Sequence, residues 1–161
     1  MSAISKHLFA RKDLLETTIC LSDIATLKNG YAFQSGMYNA LGKWKILTIS
    51  NVSGERYIND KDCNCIIKLP NDIQDHQVLK EGDILISRSG TIGKVTYATK
   101  DLAENYIVSD DLVRIRVKDA NLRAYLLAYF TSSTALALML LDEYGSVQQH
   151  LQPRHIQEML I

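Results

Sequence analysis

The side chains best placed to do chemistry in this chain are polar groups able to read base edges or hold phosphates. Arg88, Ser89 and Thr91 surround Gly90 between two apolar runs, and Lys94 follows closely. An arginine there can pair bidentately with guanine, and a lysine can contact phosphate. Gln148, Gln149 and His150 form a donor and acceptor run after Gly145-Ser146. Glutamine can pair bidentately with adenine. Lys28, Asn29, Tyr31, Gln34 and Ser35 form a third group, and Ser50, Asn51 and Ser53 a fourth. Taken singly, each stretch also fits a solvated loop. Tyr31, Phe33, Met37 and Tyr38 fit either an exposed binding surface or packed loop side chains, and packing is the favoured reading.

Covalent chemistry finds no such support. A DNA amino-methylating site needs a loop of the type Asp/Asn-Pro-Pro-aromatic to hold the extruded base. This chain has only Pro70 and Pro153, far apart. Gly90-Thr91-Ile92-Gly93-Lys94 looks like the end of a phosphate loop. However, Arg88 stands where that loop needs glycine, Val95 follows the lysine, and strands flank it on both sides. A GxxG nucleic-acid clamp fails too, because that clamp joins helices. His150 and His155 are five apart with a proline between, a poor metal pair. Asp72, Asp75 and His76 read as a solvated turn. Asp110-Asp111 lacks the Glu-x-Lys or Asp-x-Lys triplet that a nuclease wants on the next strand. We expect no catalytic residue, no metal and no cofactor.

These residues need elements to position them. The length of 161 residues suits one domain with a real core. We expect 1–18 to be an arm or weakly amphipathic helix and 19–161 a single domain. Ile19–Leu27 reads as a short strand entering a helical turn, with Ser22 as possible N-cap. Lys28-Asn29-Gly30 is a turn signal. Strands are predicted over Lys45–Ile49, Asn64–Leu69, Asp83–Ser87, Ile92–Tyr97, Tyr106–Val108 and Leu112–Val117. Asp83–Ser87 and Ile92–Tyr97 form a hairpin whose tip carries Gly90, free to take positive φ. Val113, Ile115 and Val117 alternate with Arg114 and Arg116, which places both arginines on an outward face. Apolar residues at helical spacing fill Asn121–Tyr144, broken near Thr131–Thr134 into two helices. A last short helix starts at Pro153. The fold class is α+β: a mixed, largely antiparallel twisted sheet with a C-terminal helical hairpin.

Charge and cysteine content set further bounds. Eighteen Lys and Arg meet eighteen Asp and Glu, so the net charge is zero. A whole-protein electrostatic case for nucleic acid fails, and binding must rest on a local patch or a partner's charge. Cys20, Cys63 and Cys65 have neither zinc nor redox spacing and read as structural thiols in a reducing cytoplasm. Ala135–Leu141 is too short to span a bilayer, so no membrane association is expected.

Three segments in order resemble one family. Leu21-Ser22-Asp23-Ile24-Ala25, followed by Lys28-Asn29-Gly30-Tyr31-Ala32-Phe33, is similar to its opening. Leu79-Lys80-Glu81-Gly82-Asp83-Ile84-Leu85-Ile86-Ser87, running into Gly90-Thr91-Ile92-Gly93-Lys94, is similar to its most specific signature. Tyr144-Gly145-Ser146-Val147-Gln148-Gln149-His150-Leu151, then Ile156 and Met159-Leu160-Ile161, is similar to its closing segment. The chain from Ile19 onward thus resembles one target-recognition domain of a type I restriction-modification DNA specificity subunit.

That resemblance implies sequence-specific recognition of double-stranded DNA, reading one half of a split target, with no catalysis in this chain. It implies a DNA methyltransferase subunit as partner, and a restriction/translocase subunit in the full complex. A complete subunit of the family carries two such domains held apart by long helices. This chain has one, which suits an excised domain, the recognition part of a fused enzyme, or a half-subunit able to form a homodimer. Base contacts do not transfer from the family, because its recognition loops vary. The alternative reading is a protein-interaction or dimerisation module that docks a methyltransferase without reading DNA. It is motivated by the neutral charge and the apolar run Ala135–Leu141.

Overall fold

The computed structural model describes residues 18–52, 57–102, 105–141, 151, 153–159 and 161. The expected arm at 1–17, Ser53, Gly145-Ser146 and the run Gln148, Gln149 and His150 lie outside the described residues.

Among the described residues the first element is one helical turn, α1 (Leu21–Ile24), which runs straight into strand β1 (Ala25–Asn29). The sequence predicted the reverse order. Cys20 takes the N-cap position, and no side chain, Ser22 included, caps the turn. Ala25 and Leu27 are buried while Thr26 and Lys28 are exposed, so the two-residue period runs on through Lys28 and Asn29. Ladder pairing of Lys28 with Arg114 and Asn29 with Val113 holds both in the strand, and the turn begins only at Gly30.

Among the described residues seven strands form two sheets, where the sequence suggested one. The first is wholly antiparallel in the order β1-β7-β4-β5, with β4 Ile84–Ser87, β5 Val95–Tyr97 and β7 Leu112–Val117. The second has the order β3-β2-β6, with β2 Trp44–Leu47, β3 Asn64–Ile66 and β6 Tyr106–Val108. β2 pairs antiparallel with β3 and parallel with β6. The predicted hairpin is present as β4 and β5, with Ile86 opposite Val95.

One face of the first sheet presents Leu27, Ile84, Ile86, Val95, Val113 and Ile115 to a buried core. Helices α2 (Arg123–Phe130), α3 (Ser133–Leu141) and α4 (Pro153–Gln157) cover it with Leu126, Phe130, Ala135, Met139 and Ile156. The break between α2 and α3 has local causes. The Thr131 hydroxyl donates back to the carbonyls of Leu127 and Ala128, and the Ser132 hydroxyl accepts from the Ala135 amide.

The opposite face is where the sequence placed the arginines in solvent, and there the structure departs from it. Leu85 and Leu112 on that face pack with Leu47, Val52 and Val108 from the second layer. The arginines between them are therefore covered. Arg114 is 2% exposed, and Asp83 beside it is 1% exposed. Asp83 accepts from Arg116 through both oxygens at 2.8 Å and from the Lys80 amide at 2.8 Å. Arg114 approaches the same carboxylate only to 3.6 Å, and its Nε and Nη1 have no hydrogen-bond partner. Burial holds the Arg114 guanidinium below its ordinary value, while the bond to Asp83 raises that of Arg116. Arg116 also donates to the Val78 carbonyl at 3.1 Å, and Val78 bridges to Ile107 of β6. One carboxylate thus ties the first sheet to the second.

Burial pushes the Cys63 thiol up to about 11, so it stays protonated near neutral pH, as a structural thiol should. Among the described residues no helix is long and apolar enough to cross a membrane.

Removing the Asp83 carboxylate leaves buried Arg114 without its carboxylate and half-buried Arg116 with only the exposed Asp75 at 3.5 Å. Asp83→Ala should destabilise the chain by about 3–5 kcal/mol, read as a lower denaturant midpoint. Arg114→Met should cost less than half as much, because Asp83 keeps its bidentate partner. Equal losses for the two variants would contradict this division of the cluster.

Candidate nucleic-acid interface

The turn from β6 to β7 carries the chain from one sheet to the other, and four other loop segments close on it. The Ser109 amide donates to the Leu47 carbonyl at 2.9 Å, which fixes the turn to the end of β2. The Gly30 amide donates to Leu112, the Tyr31 amide to Val108, and the Asp110 amide back to Tyr31 at 3.0 Å. A side chain at Gly30 would meet the Ser109 and Val108 carbonyl oxygens at 2.2 Å, so only glycine allows that approach.

The hairpin tip joins from the other side. The Arg88 amide donates to the Asp111 carbonyl at 2.9 Å. Its guanidinium donates to the Leu151 carbonyl through Nε and the Asp110 carbonyl through Nη1, both at 3.2 Å. The Leu151 amide donates in turn to the Arg88 carbonyl at 2.9 Å. Leu151 is buried. Ile49, at the start of the 3₁₀ turn Ile49–Asn51, lies beside Gly90.

The tip has an internal organiser that the sequence reading missed. Ser87 is fully buried; its hydroxyl donates to the Thr91 carbonyl at 2.6 Å and accepts from the Lys94 amide at 2.8 Å. The Gly93 amide donates to the Ser87 carbonyl at 3.0 Å, and Gly90 and Gly93 take φ of +61° and +82°. A serine ending an apolar strand just before Arg-Ser-Gly was the available signal. Without the loop's path, it read as one more strand residue.

The candidate residues divide accordingly. Ser50 and Thr91 are exposed, and Lys94 is half-buried. The Lys94 ammonium has no ion-pair partner among the described residues. Ser89 is half-buried and donates to the Asp111 carboxylate at 3.3 Å. The Arg88 guanidinium is spent on main-chain carbonyls.

Asn51 is buried and serves its own loop. Its Oδ1 accepts from the Thr48 amide and its Nδ2 donates to the Asn59 carbonyl, at 2.8 and 2.9 Å. Tyr31 stacks on Phe33 at 4.8 Å between ring centroids and donates its hydroxyl to Asp72, which raises its pKa. Met37 and Tyr38 are each 38% exposed. Asn29 is half-buried at the end of β1. Lys28 is exposed on the face that carries Arg114, away from the tip. With Arg114 it adds to burial in holding His76 below its ordinary value. Asp72 and Asp75 are engaged with Tyr31 and Lys80. Among the described residues no group of three His, Cys, Asp or Glu is placed to hold a metal.

The arrangement is a rigid end with outward hydroxyls, a lysine and an exposed carboxylate. It suits hydrogen-bonded readout of a polar surface more than charge neutralisation.

Comparison with known proteins agrees. The profile of the type I restriction modification DNA specificity domain matches residues 16–161. No curated protein gives a significant match. Among the solved structures that share the fold are three. One is a chain from a type I R-M system studied for its assembly and conformational transition: TM-score 0.67, 18% identity, 89% of this chain and 33% of that one. Another is the HsdS subunit from Thermoanaerobacter tengcongensis: TM-score 0.62, 17% identity, 98% of this chain and 38% of that one. The third is the type IIG restriction endonuclease BpuSI: TM-score 0.68, 12% identity, 98% of this chain and 25% of that one. The chain therefore spans between a quarter and two fifths of each of these structures. With the profile matched over nearly its whole length and the fold shared, the chain belongs to the type I restriction modification DNA specificity domain family, whose part in a restriction-modification system is sequence-specific DNA recognition.

Proposed function

We propose that residues 19–161 act as one recognition domain that reads one half of a split DNA target, with 1–18 as an arm. Methylation and cleavage fall to other subunits or domains. The observation that supports this is the convergence of four loop segments around the β6–β7 turn, locked by Arg88, with polar side chains left facing outward. The reading places a DNA methyltransferase subunit and a restriction/translocase subunit beside the chain in the cytoplasm, and a homodimer could supply the second half-site. The zero net charge fits a domain whose partners contribute part of the grip on phosphate.

A docking-only role is the second reading. Helix α3 is apolar on every side, yet Leu136 and Leu140 are each 36% exposed. Binding of a randomised duplex library at two salt concentrations separates the two, measured for the chain alone and assembled with its partner subunits. A sequence preference in the assembly is expected. Its absence from both samples would overturn the recognition role.

Individual side chains should behave differently. Arg88→Ala should lower stability by about 1–2 kcal/mol and weaken all duplexes alike, because the guanidinium holds carbonyls. A thermal melt and the same library check this. Lys94→Ala should weaken binding uniformly and reduce the salt slope by about one phosphate contact. Gln148→Ala should relax specificity at a single position by about 1–3 kcal/mol. A uniform loss for Gln148→Ala would remove it from the base-reading set.

A further inference from the structure

The β6–β7 turn holds two adjacent carboxylates in different situations. Asp111 is half-buried and accepts the Ser89 hydroxyl. Asp110 is exposed, and its carboxylate has no partner among the described residues. Its main chain is nevertheless held from both sides. The amide donates to Tyr31 at 3.0 Å, and the carbonyl accepts from Arg88 Nη1 at 3.2 Å. Ser109 before it is tied to Leu47, and Leu112 after it donates back to Ser109 at 3.1 Å. Asp110 therefore stands on a fixed backbone at the centre of the loop end, between the Tyr31 loop and the hairpin tip.

A carboxylate at that place has little to gain from phosphates, which repel it. When ionised it can only accept hydrogen bonds. That restricts which base edge it can meet in the major groove. Guanine offers two acceptors and thymine an acceptor with a methyl group. Adenine sets its amino group beside the N7 acceptor. Cytosine alone offers an amino donor with no acceptor on its own edge. We infer that Asp110 is a specificity-determining residue that accepts a hydrogen bond from the N4 amino group of a cytosine in the target. The inference rests on the DNA-recognition reading above and adds one reader and one base to it.

The test compares the unmodified chain with Asp110→Ala and Asp110→Asn, each assembled with its partner subunits, on a randomised duplex library. The unmodified assembly should require cytosine at one position. Asp110→Ala should lose that preference by about tenfold or more, with other positions unchanged and mismatched duplexes bound no more weakly. Asp110→Asn should move the preference at the same position toward adenine, which matches an amide bidentately. Thermal midpoints should stay unchanged, because the side chain has no partner to lose.

A cytosine preference that survives Asp110→Ala would overturn the inference and leave Asp110 a solvated turn residue. So would a uniform change on all duplexes. If the unmodified assembly shows no preference at any position, the recognition reading itself falls, and this inference with it.

Discussion

A single buried carboxylate, Asp83, carries two arginines at the seam between the two sheets. It sits just before β4 and takes both bonds from Arg116 of β7, which in turn grips the Val78 carbonyl near β6. Breaking this group would remove one polar link between the two layers as well as leave charge buried. The arrangement is also lopsided. Arg114 is almost as buried as Asp83 but lacks a close partner for two of its nitrogens. The cluster specifies how the sheets meet more clearly than it stabilises them, because a half-satisfied buried network gains little net free energy.

That seam sets the position of everything at the loop end. The β6–β7 turn can exist only because β6 lies in one sheet and β7 in the other, and the two sheets meet at a fixed distance. Backbone hydrogen bonds then draw the Gly30–Tyr31 segment, the end of β2 and the hairpin tip onto that turn, and Leu151 onto the tip. Arg88 and Ser87 supply the side-chain part of the lock. Scaffold and readout are thereby separated by atom type. Main-chain groups and a few buried side chains hold the end together, and side chains such as Ser50, Thr91 and Asp110 are exposed on it. Such a division lets an exposed side chain change without loosening its support.

The electrostatics fit the same division. Arg88, the most obvious cation at the tip, is used inside the protein. Asp72, Asp110 and Asp111 stand nearby, so the end is no basic patch. On the proposed reading, affinity from phosphate neutralisation comes largely from other parts of an assembly, and this end contributes discrimination.

Much of the fold was readable in the sequence, for physical reasons that act locally. Two-residue alternation marked β4, β5, β6 and β7, and the hydroxyl run at Thr131–Thr134 marked the break between α2 and α3, where those hydroxyls do compete for backbone groups. The order of motifs marked the family. Other features escaped, for reasons that three cases make plain. The turn at Lys28-Asn29 became strand because an adjacent strand, β7, offered ladder partners that no local signal announces. The alternation in β7 suggested a solvated arginine face because pattern shows which side chains share a face, not what covers it; the second sheet covers it. Arg88 and Asn51 looked like readers because composition cannot show whether a donor is already used by a carbonyl distant in sequence, as at Leu151. Periodicity and spacing thus determined the elements and the family. Only tertiary packing decided which polar groups are spent holding the molecule together and which are left exposed, because hydrogen bonds between distant segments exist only once the two sheets are joined.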